Sequence, residues 1–560
     1  MKKFIVLSLC GLLIIAFSAT VYAQKLDFRA SGFIDAIGVY DKNVPRYNSA
    51  AGIFQVVNPD YGYPYSKAAS AAAIAAGLPN NPKALDKKQT FVTSRMRLMF
   101  NAIMDKNLSG TIFFEADSSR WGDTSGGQGG KFRESGAYGV WSADRTSLEI
   151  KNVYIDFGLP YFGIPVPMMF RVGLQPLGIR PNMFVYTDGM GITASLKVAD
   201  MINIQPMWFK ALEGTDWAQD DVDVYGIQAN VKIKTFTIGG YGLYYNMNSY
   251  PFLGTTTPGA TLAATGALPG SYALVQGTYQ SGMYWLGAYA DGKLGPVNIN
   301  FDFIYDWGKV ERHLGRSANG DGTVVYSSEY SDVDYSGWAT RAKIDFPWEK
   351  FNFGTVLMYA TGADAKKTST SGLPGTTVAY GPAGAKAGQY NVLSSKNSSF
   401  VVPVGSEQGA IFQEALVVYN SIFGNSEPLG IGTNANYNQL SRGGIGGTAM
   451  AKLYASVKAT PWYKITLQGL YVWDTTKNGN TFGNARKLDG NLRDDKGIGF
   501  ELDLINDIDI YKNLTFSFGG GYLWAGKAMD LWDRTATAIP NTNFSPKNPW
   551  VIATKLLYTF

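Results

Sequence analysis

Several charged residues of this sequence alternate with apolar residues, and this spacing makes them the strongest candidates for a functional role. Arg95 and Arg97 alternate with Met96 and Leu98, and Arg171 lies between two apolar residues. Successive side chains of a β-strand point to opposite faces, so the charges of such a strand share one face. A charged face turned toward water can act on ions and polar solutes through its field. The candidates for lining such a face are Arg95, Arg97, Glu115, Asp117, Arg171, Asp302, Asp306, Arg341, Lys343, Asp345, Glu501 and Asp503.

Catalytic and metal chemistry have little support in the sequence. His313 is the only histidine, and catalysis with a histidine base needs that histidine poised near a serine or an aspartate. Cys10 is the only cysteine, and one histidine cannot supply a usual zinc site. Residues 319–322 resemble a calcium loop but lack its bidentate glutamate, so a turn is expected. We therefore expect no enzyme, no cofactor and no metal site.

The N-terminus has the features of a secretory signal peptide. Lys2 and Lys3 are basic, residues 4–17 are mostly apolar, and Ala23 supplies the small residue before the expected cleavage. We expect residues 1–23 to be removed and residues 24–560 to form a single domain. Removal takes away Cys10, so the mature chain would contain no thiol.

The composition excludes several other classes. The chain has 560 residues, of which 65 are glycine and 34 are tyrosine, and its mean hydropathy is −0.08. After the N-terminus it has no run of roughly 20 apolar residues, so a bundle of membrane helices is excluded. Without Lys2 and Lys3 the 49 basic residues become 47, against 44 acidic ones. That balance gives no argument for nucleic-acid binding.

Alternation of apolar and polar residues predicts the fold. Residues 297–307, 514–524 and 550–560 each sort by alternation into two distinct faces, as strands do and helices do not. Each run has about 10 to 13 residues, near the length a tilted strand needs to cross a bilayer. We count about 18 runs, an even number as in bacterial barrels. They begin near residues 26, 90, 108, 147, 166, 189, 200, 222, 236, 281, 294, 335, 351, 448, 462, 496, 513 and 550.

The connections between these runs alternate between short and long. Short turns on the periplasmic side and long loops outside are typical of outer-membrane barrels. An apolar outer face and a polar inner face suit lipid outside and water inside, and closure pairs every backbone group. The sequence therefore predicts an all-β, transmembrane antiparallel barrel in the bacterial outer membrane. Its long outer loops include residues 41–89, 249–280, 309–334 and 362–447.

The segment 362–447 is too long to be plain coil without a reason. It is either folded into the lumen, which it would narrow, or a mobile outer loop, and the sequence does not decide between these. A short helix is expected near residues 413–421, and another at residues 68–76.

The C-terminus carries two resemblances. Phe560, with Tyr558 and Leu556 at alternating positions, resembles the signal read by the outer-membrane assembly machinery. Residues 497–504, 511–515 and 519–526 resemble the closing hairpin of alginate-export-type porins. That resemblance implies a large monomeric barrel and a path for a polyanion lined by arginines, to which Arg95, Arg97, Arg171 and Arg341 could contribute.

Three functions follow from these patterns. The first is a porin for passive diffusion of small hydrophilic solutes or ions through a water-filled lumen. The second is a dedicated channel for export or uptake of an anionic polysaccharide. The third is a sheath that holds a periplasmic or electron-carrying partner. The expected partners are outer-membrane lipid and lipopolysaccharide, the assembly machinery and the solutes, with either a monomer or a trimer as the assembly.

Overall fold

The computed structural model places eighteen long strands in one closed antiparallel barrel. The first strand pairs with both the second and the last strand, which closes the wall. Phe560 completes the seam, because its backbone exchanges hydrogen bonds of 2.9 and 3.1 Å with Gly32. The structure describes residues 26–43, 88–118, 121–122, 148–159, 167–213, 221–248, 279–312, 333–364, 396–419, 440–483, 485–488, 491–532 and 543–560.

Each strand of the wall pairs with its neighbours in the sequence, from β1 around to β21. The wall strands are β1 Asp27–Lys42, β2 Lys88–Asp105, β3 Leu108–Ser118, β4 Glu149–Gly158, β5 Met168–Ile179, β6 Val185–Ala199, β7 Ile202–Leu212, β8 Val222–Ile233, β9 Phe236–Met247, β10 Tyr279–Leu294, β11 Val297–Arg312, β12 Val333–Trp348, β13 Phe351–Ala360, β15 Thr448–Thr460, β16 Tyr463–Asp474, β17 Gly497–Tyr511, β18 Leu514–Ala525 and β21 Trp550–Thr559. In the described part of the chain, three two-residue strands are not wall strands: β14 Lys396–Asn397, β19 Leu531–Trp532 and β20 Asn543–Phe544.

The predicted fold class is confirmed, and each of the eighteen predicted runs corresponds to one wall strand. The strands have 10 to 18 residues, so several extend beyond the bilayer-crossing length expected from the sequence. β2 is the longest and pairs along its length with β1.

The two faces of the wall follow the predicted alternation. On β11, Phe301 and Phe303 are 40 and 37 % exposed on the outside, while Asp302 between them is 2 % exposed inside the barrel. Phe518 and Leu556 are likewise exposed on the outer face. Only lipid favours an outward band of large apolar side chains in a closed barrel.

Aromatic residues gather near the outer end of the wall. Tyr284 stacks on Tyr244 and on Trp307, with ring centroids 4.4 and 5.4 Å apart on three adjacent strands. Trp473 and Trp524 are also exposed close to that end. Amphipathic rings at this level suit the boundary between acyl chains and head groups.

The predicted alternation of connections holds with two exceptions. Seven turns at the periplasmic end have two residues each, but residues 159–167 make a longer connection at that end. At the outer end, residues 180–184 join β5 to β6 in only five residues. This connection is the turn of a hairpin that bends into the barrel, as described below.

The helix expected at residues 413–421 is wrong for the residues that can be compared. The structure has a helix, α1, at Gln408–Ile411, and residues 413–419 are not helical. Residues 420–421, the helix expected at 68–76 and the expected signal peptide lie outside the described residues. In the described part, no helix has the length and apolar character needed to cross a membrane.

Candidate functional site

Of the described elements that fold into the barrel, the first is the tip of the β5–β6 hairpin. β4 pairs with β5 only as far as Leu174, and β7 pairs with β6 only from Met190 onward. Between these points, β5 and β6 pair with each other. The hairpin tip, residues 175–189, therefore leaves the wall and enters the lumen.

Arg180 fixes the hairpin tip to the far wall. Its guanidinium pairs with Asp291 on β10 at 2.5 Å and with Asp302 on β11. It also lies over an aromatic face, with its central carbon 4.4 Å from the ring centroid of Tyr289. Arg180 has φ of +46°, a left-handed conformation that the turn imposes on a non-glycine residue. Two carboxylates and a ring hold it there.

Apolar contacts also hold the hairpin tip against the far wall. Phe184, at the end of the hairpin turn, stacks on Tyr241 with ring centroids 5.4 Å apart. Its ring centroid is 5.9 Å from that of Trp285. All three side chains are buried. The inner face of the wall is therefore apolar where the hairpin covers it, which differs from the uniformly polar inner face that the sequence predicts.

The second inward element is a segment that we call the strap, residues 396–419. Phe400, Val402, Phe412 and Val417 of the strap are buried among the inner faces of the wall strands. Of the two alternatives for segment 362–447, the fold into the lumen is therefore what the structure shows for this part. Apolar packing inside the barrel makes the strap a second layer of the core.

The first end of the strap is attached to β10, β11 and β12. Trp285 donates from its indole to the carbonyl of Val401 at 2.9 Å. The carboxylate of Asp306 accepts hydrogen bonds from the backbone N–H groups of Val401 at 3.3 Å and of Gly337 at 3.2 Å. A Cβ at Gly337 would lie 2.6 Å from the backbone of Phe400, so glycine is required for this close approach.

The second end of the strap is attached to β17. The carboxylate of Glu501 accepts N–H bonds from Leu416, Val417 and Val418 at 2.9, 2.7 and 2.8 Å. Asp503 accepts a bond of 2.7 Å from the amide of Gln468 and a longer one, of 3.3 Å, from Leu416. Glu501 and Asp503 are both 0 % exposed. These carboxylates thus satisfy backbone donors of the strap, which would otherwise be buried without partners.

The strap and the hairpin tip contact each other, so they form one inner layer. Glu407 donates its backbone N–H to the carbonyl of Tyr186 at 2.7 Å. Ser406 donates to the carbonyl of Phe184, and Gln408 donates to that of Asn182, both at 3.0 Å. The two elements therefore brace each other across the barrel.

Below the strap, toward the periplasm, lies a polar cavity of about 630 Å³ that we call the vestibule. Asn182 of the hairpin and Ile411, Gln413 and Glu414 of the strap line its outer side. The wall strands supply the rest of the lining, including five cations and two carboxylates. These charged wall residues are Arg341, Lys343, Asp345, Lys452, Lys464, Asp507 and Lys555.

Glu414 joins the strap to two of these cations. Its carboxylate pairs with Arg341 at 2.5 Å and with Lys452, and Gln468 donates to its carbonyl at 3.1 Å. Burial opposes ionisation of Glu414, but Lys452 and Arg341 outweigh it and hold the pKa of this carboxyl below its ordinary value of 4.5. Glu414 therefore carries its charge in the vestibule at neutral pH.

A second charged cluster lies on β2, β3 and β4. Glu115 forms ion pairs with Arg97 at 2.7 Å, with Arg95 at 3.3 Å and with Lys151 at 3.3 Å. Lys151 reaches Asp188 of the hairpin tip at 2.8 Å as well. This cluster ties the hairpin to the near wall, opposite the Arg180 contacts.

The structure places the twelve predicted lining residues in different surroundings. Arg341, Lys343 and Asp345 line the vestibule, while Arg95, Arg97 and Glu115 form the cluster on β2 and β3. Arg171 also faces inward and pairs with Asp156 at 2.7 Å. Asp302, Asp306, Glu501 and Asp503 face inward too, but they are covered by the hairpin or the strap. Asp117 lies opposite Arg95 in the ladder, and its side chain is outside the described ones.

Several residues of the site were missed by sequence reasoning. Lys452 alternates with Ala451 and Leu453, so the parity rule that selected Arg95 could have found it. Arg180 and Glu414 lie in connections between strands, where alternation carries no signal. Their partners come from distant strands, so only the folded chain brings them together.

The fold and its inner layer define the class of this protein: a transmembrane β-barrel whose lumen is narrowed from within. Comparison with models of protein families gave no match, and comparison with curated proteins gave none either.

Solved structures similar to this chain include OccK8 (OprE) of Pseudomonas aeruginosa, with a TM-score of 0.44 and 10% identity over 95% of this chain and 98% of that one. OccK11 (OpdR) of the same species has a TM-score of 0.42 and 8% identity, covering 95% and 96%. OccAB3 of Acinetobacter baumannii has a TM-score of 0.43 and 9% identity, covering 95% and 99%.

Proposed function

We propose that this chain is an outer-membrane porin that lets small hydrophilic solutes or ions diffuse passively through its lumen. The observation that carries the proposal is the polar vestibule of about 630 Å³ inside a closed barrel with an apolar outer face. Barrels of 16 to 18 strands are wide enough to hold an aqueous channel. Charge inside such a barrel is tolerated because it faces water, whereas a lipid-facing Arg or Lys at mid-depth would cost ~2–4 kcal/mol.

The inner layer supports a restriction to small solutes. The hairpin and the strap occupy space that an eighteen-stranded barrel would otherwise leave to water, and both are anchored at two ends. Apolar burial of Phe400, Phe412 and Val417 opposes displacement of the strap. The solute path in this proposal is therefore what the fixed inner layer leaves free.

The two alternative functions gain no support from the geometry. An anionic polysaccharide would need free arginines, yet Arg97 pairs with Glu115, Arg171 with Asp156 and Arg341 with Glu414. A sheath needs room for a partner, and here the chain fills part of its own lumen. We therefore retain the diffusion porin as the proposal.

The proposal includes export and assembly. We propose that residues 1–23 are a signal peptide that is cleaved during export. N-terminal sequencing of the protein from outer membranes should then show Gln24 as the first residue. Phe560 pairs with Gly32 at the seam, which fits a C-terminal residue that is recognised during barrel closure. Replacement of Phe560 by alanine should lower the amount of folded protein in the membrane. Unchanged insertion of this variant would count against that role.

The test of the pore combines conductance with thiol labelling. Purified protein in a planar bilayer should give stepwise, ohmic conductance. A cysteine at Lys343, in the vestibule, would be the unique thiol of a chain that has lost Cys10, and a bulky water-soluble thiol reagent should reduce the conductance. The matched control is a cysteine at Leu453, which is 70 % exposed on the lipid face. Absence of conductance, or equal effects at the two positions, would overturn the proposal.

A further inference from the structure

Among the described residues that line the vestibule, Glu414 is the only charged one that belongs to the strap, and the other charged ones lie on the wall. This described lining carries five cations and, with Glu414, three carboxylates, which leaves an excess of two positive charges. Two of the cations, Arg341 and Lys452, are those that contact Glu414. The charge brought by the strap thus sits beside the most buried cations of the cavity.

The position of Glu414 does not depend on its own charge. The strap is attached on both sides of it, through Val401 to Asp306 and through Leu416, Val417 and Val418 to Glu501. Ala415 and Leu416, which follow it directly, are buried in the apolar layer. Replacement of Glu414 by the isosteric glutamine therefore removes a charge and leaves the attachments of the strap in place.

We propose that Glu414 is a built-in counter-ion, placed by the strap beside Arg341 and Lys452, that limits the preference of the pore for anions. The inference rests on the proposed porin function, because it concerns the ions that pass the vestibule. Low-dielectric walls focus the field of buried charges into the water beside them. Glu414 is only 8 % exposed, so salt screens its field less than that of a rim charge.

The effect can be measured as the ratio of chloride to potassium permeability. The E414Q variant raises the excess from two positive charges to three, and K452Q lowers it to one. In 0.1 M salt, where the Debye length is roughly 10 Å, E414Q should raise the ratio roughly two- to threefold. K452Q should lower it by a similar factor.

The experiment compares reversal potentials of the wild type, E414Q, K452Q and the double variant E414Q/K452Q in a salt gradient. The double variant restores the wild-type charge excess, so its ratio should return close to the wild-type value. D200N is the matched control, because Asp200 is an exposed carboxylate in the turn between β6 and β7 and does not line the vestibule. Its ratio should equal that of the wild type.

The outcomes separate this inference from the proposed function. Loss of conductance in the wild type would overturn the porin itself. Ohmic conductance with equal permeability ratios in the wild type and E414Q would overturn the role of Glu414 and leave the porin standing. If E414Q fails to insert as a folded barrel, E414D and K452Q provide the test. The permeability ratio should be unchanged in E414D and lower in K452Q. A ratio unchanged in K452Q would then contradict the inference.

Discussion

Arg180 and Asp302 form an ion pair inside the barrel, although they are 122 residues apart in the sequence. Arg180 is at the tip of a hairpin that has left the wall, and Asp302 is on β11, five strands beyond β6 around the barrel. The pair therefore fixes the inner layer to a distant part of the wall. Because the hairpin covers Asp302, this ion pair is buried in the barrel.

Replacement of Arg180 by methionine should therefore destabilise the barrel strongly. It leaves the Asp302 carboxylate buried and without its closest cation, and breaking a buried pair in this way costs about 3–5 kcal/mol. The measurement is urea unfolding of the protein in detergent micelles, followed by tryptophan fluorescence. The double variant R180M/D302N removes both charges and should recover part of the loss. Equal losses in the single and double variants would show that the pair is unimportant.

Two adjacent glycines of β18 should respond differently to alanine. A Cβ at Gly521 would lie 2.8 Å from the Cβ of Leu416 and 2.3 Å from Oδ1 of Asp503, so it would push on the strap. A Cβ at Gly520 would meet only the carbonyl of Val551 at 3.8 Å. We expect G521A to lose about 1–3 kcal/mol of unfolding free energy, as overpacked sites do. G520A should stay within about 0.5 kcal/mol of the wild type.

The same pair of glycines tests the placement of the strap. Hydrogen exchange of the amides of Leu416 and Val417 should become faster in G521A and stay unchanged in G520A. If both variants behave alike in unfolding and in exchange, the strap does not lie against β18 at this point.

Glu501 should protect the second end of the strap. Its replacement by alanine leaves the N–H groups of Leu416, Val417 and Val418 without their main acceptor, at roughly 1–3 kcal/mol for each group left unsatisfied. Amide exchange of these three residues should accelerate in E501A. E149A is the control, since Glu149 is an exposed carboxylate at the start of β4. Wild-type protection in E501A would contradict the attachment.

The stability contributed by Glu414 should depend on pH in a defined direction. Lys452 and Arg341 outweigh burial and lower the pKa of Glu414 below 4.5, so the folded protein holds its proton less tightly than the unfolded chain does. Its contribution is therefore present above pH 4.5 and lost as the pH falls toward the lowered pKa. The difference in unfolding free energy between the wild type and E414Q should be constant from pH 7 to pH 5 and shrink at lower pH. A difference that grows on acidification would contradict this assignment.

The wall of the barrel was predictable because its determinants are local. A strand that separates lipid from the lumen must alternate apolar and polar side chains. The faces of Phe301, Asp302 and Phe303 can therefore be assigned from the sequence, before their partners are known. The short turns could be predicted because strands that follow each other in the sequence are antiparallel neighbours in such a barrel. For these reasons the number of strands, their order and the inward direction of Arg95, Arg171 and Glu501 could be predicted.

The inside of the barrel was decided by tertiary structure alone. The sequence predicts one strand from about residue 166, then a connection, and the next strand from about residue 189, and it leaves open whether the segment 362–447 enters the lumen. Nothing local shows that residues 175–189 and 396–419 both do so. Glu501 was therefore expected to face water, whereas it binds backbone donors of the strap. Arg180 pairs with carboxylates and Glu414 pairs with cations that distant strands supply. Ion pairing depends on distance in space, so it produces no periodic pattern in the sequence from which these partners could be predicted.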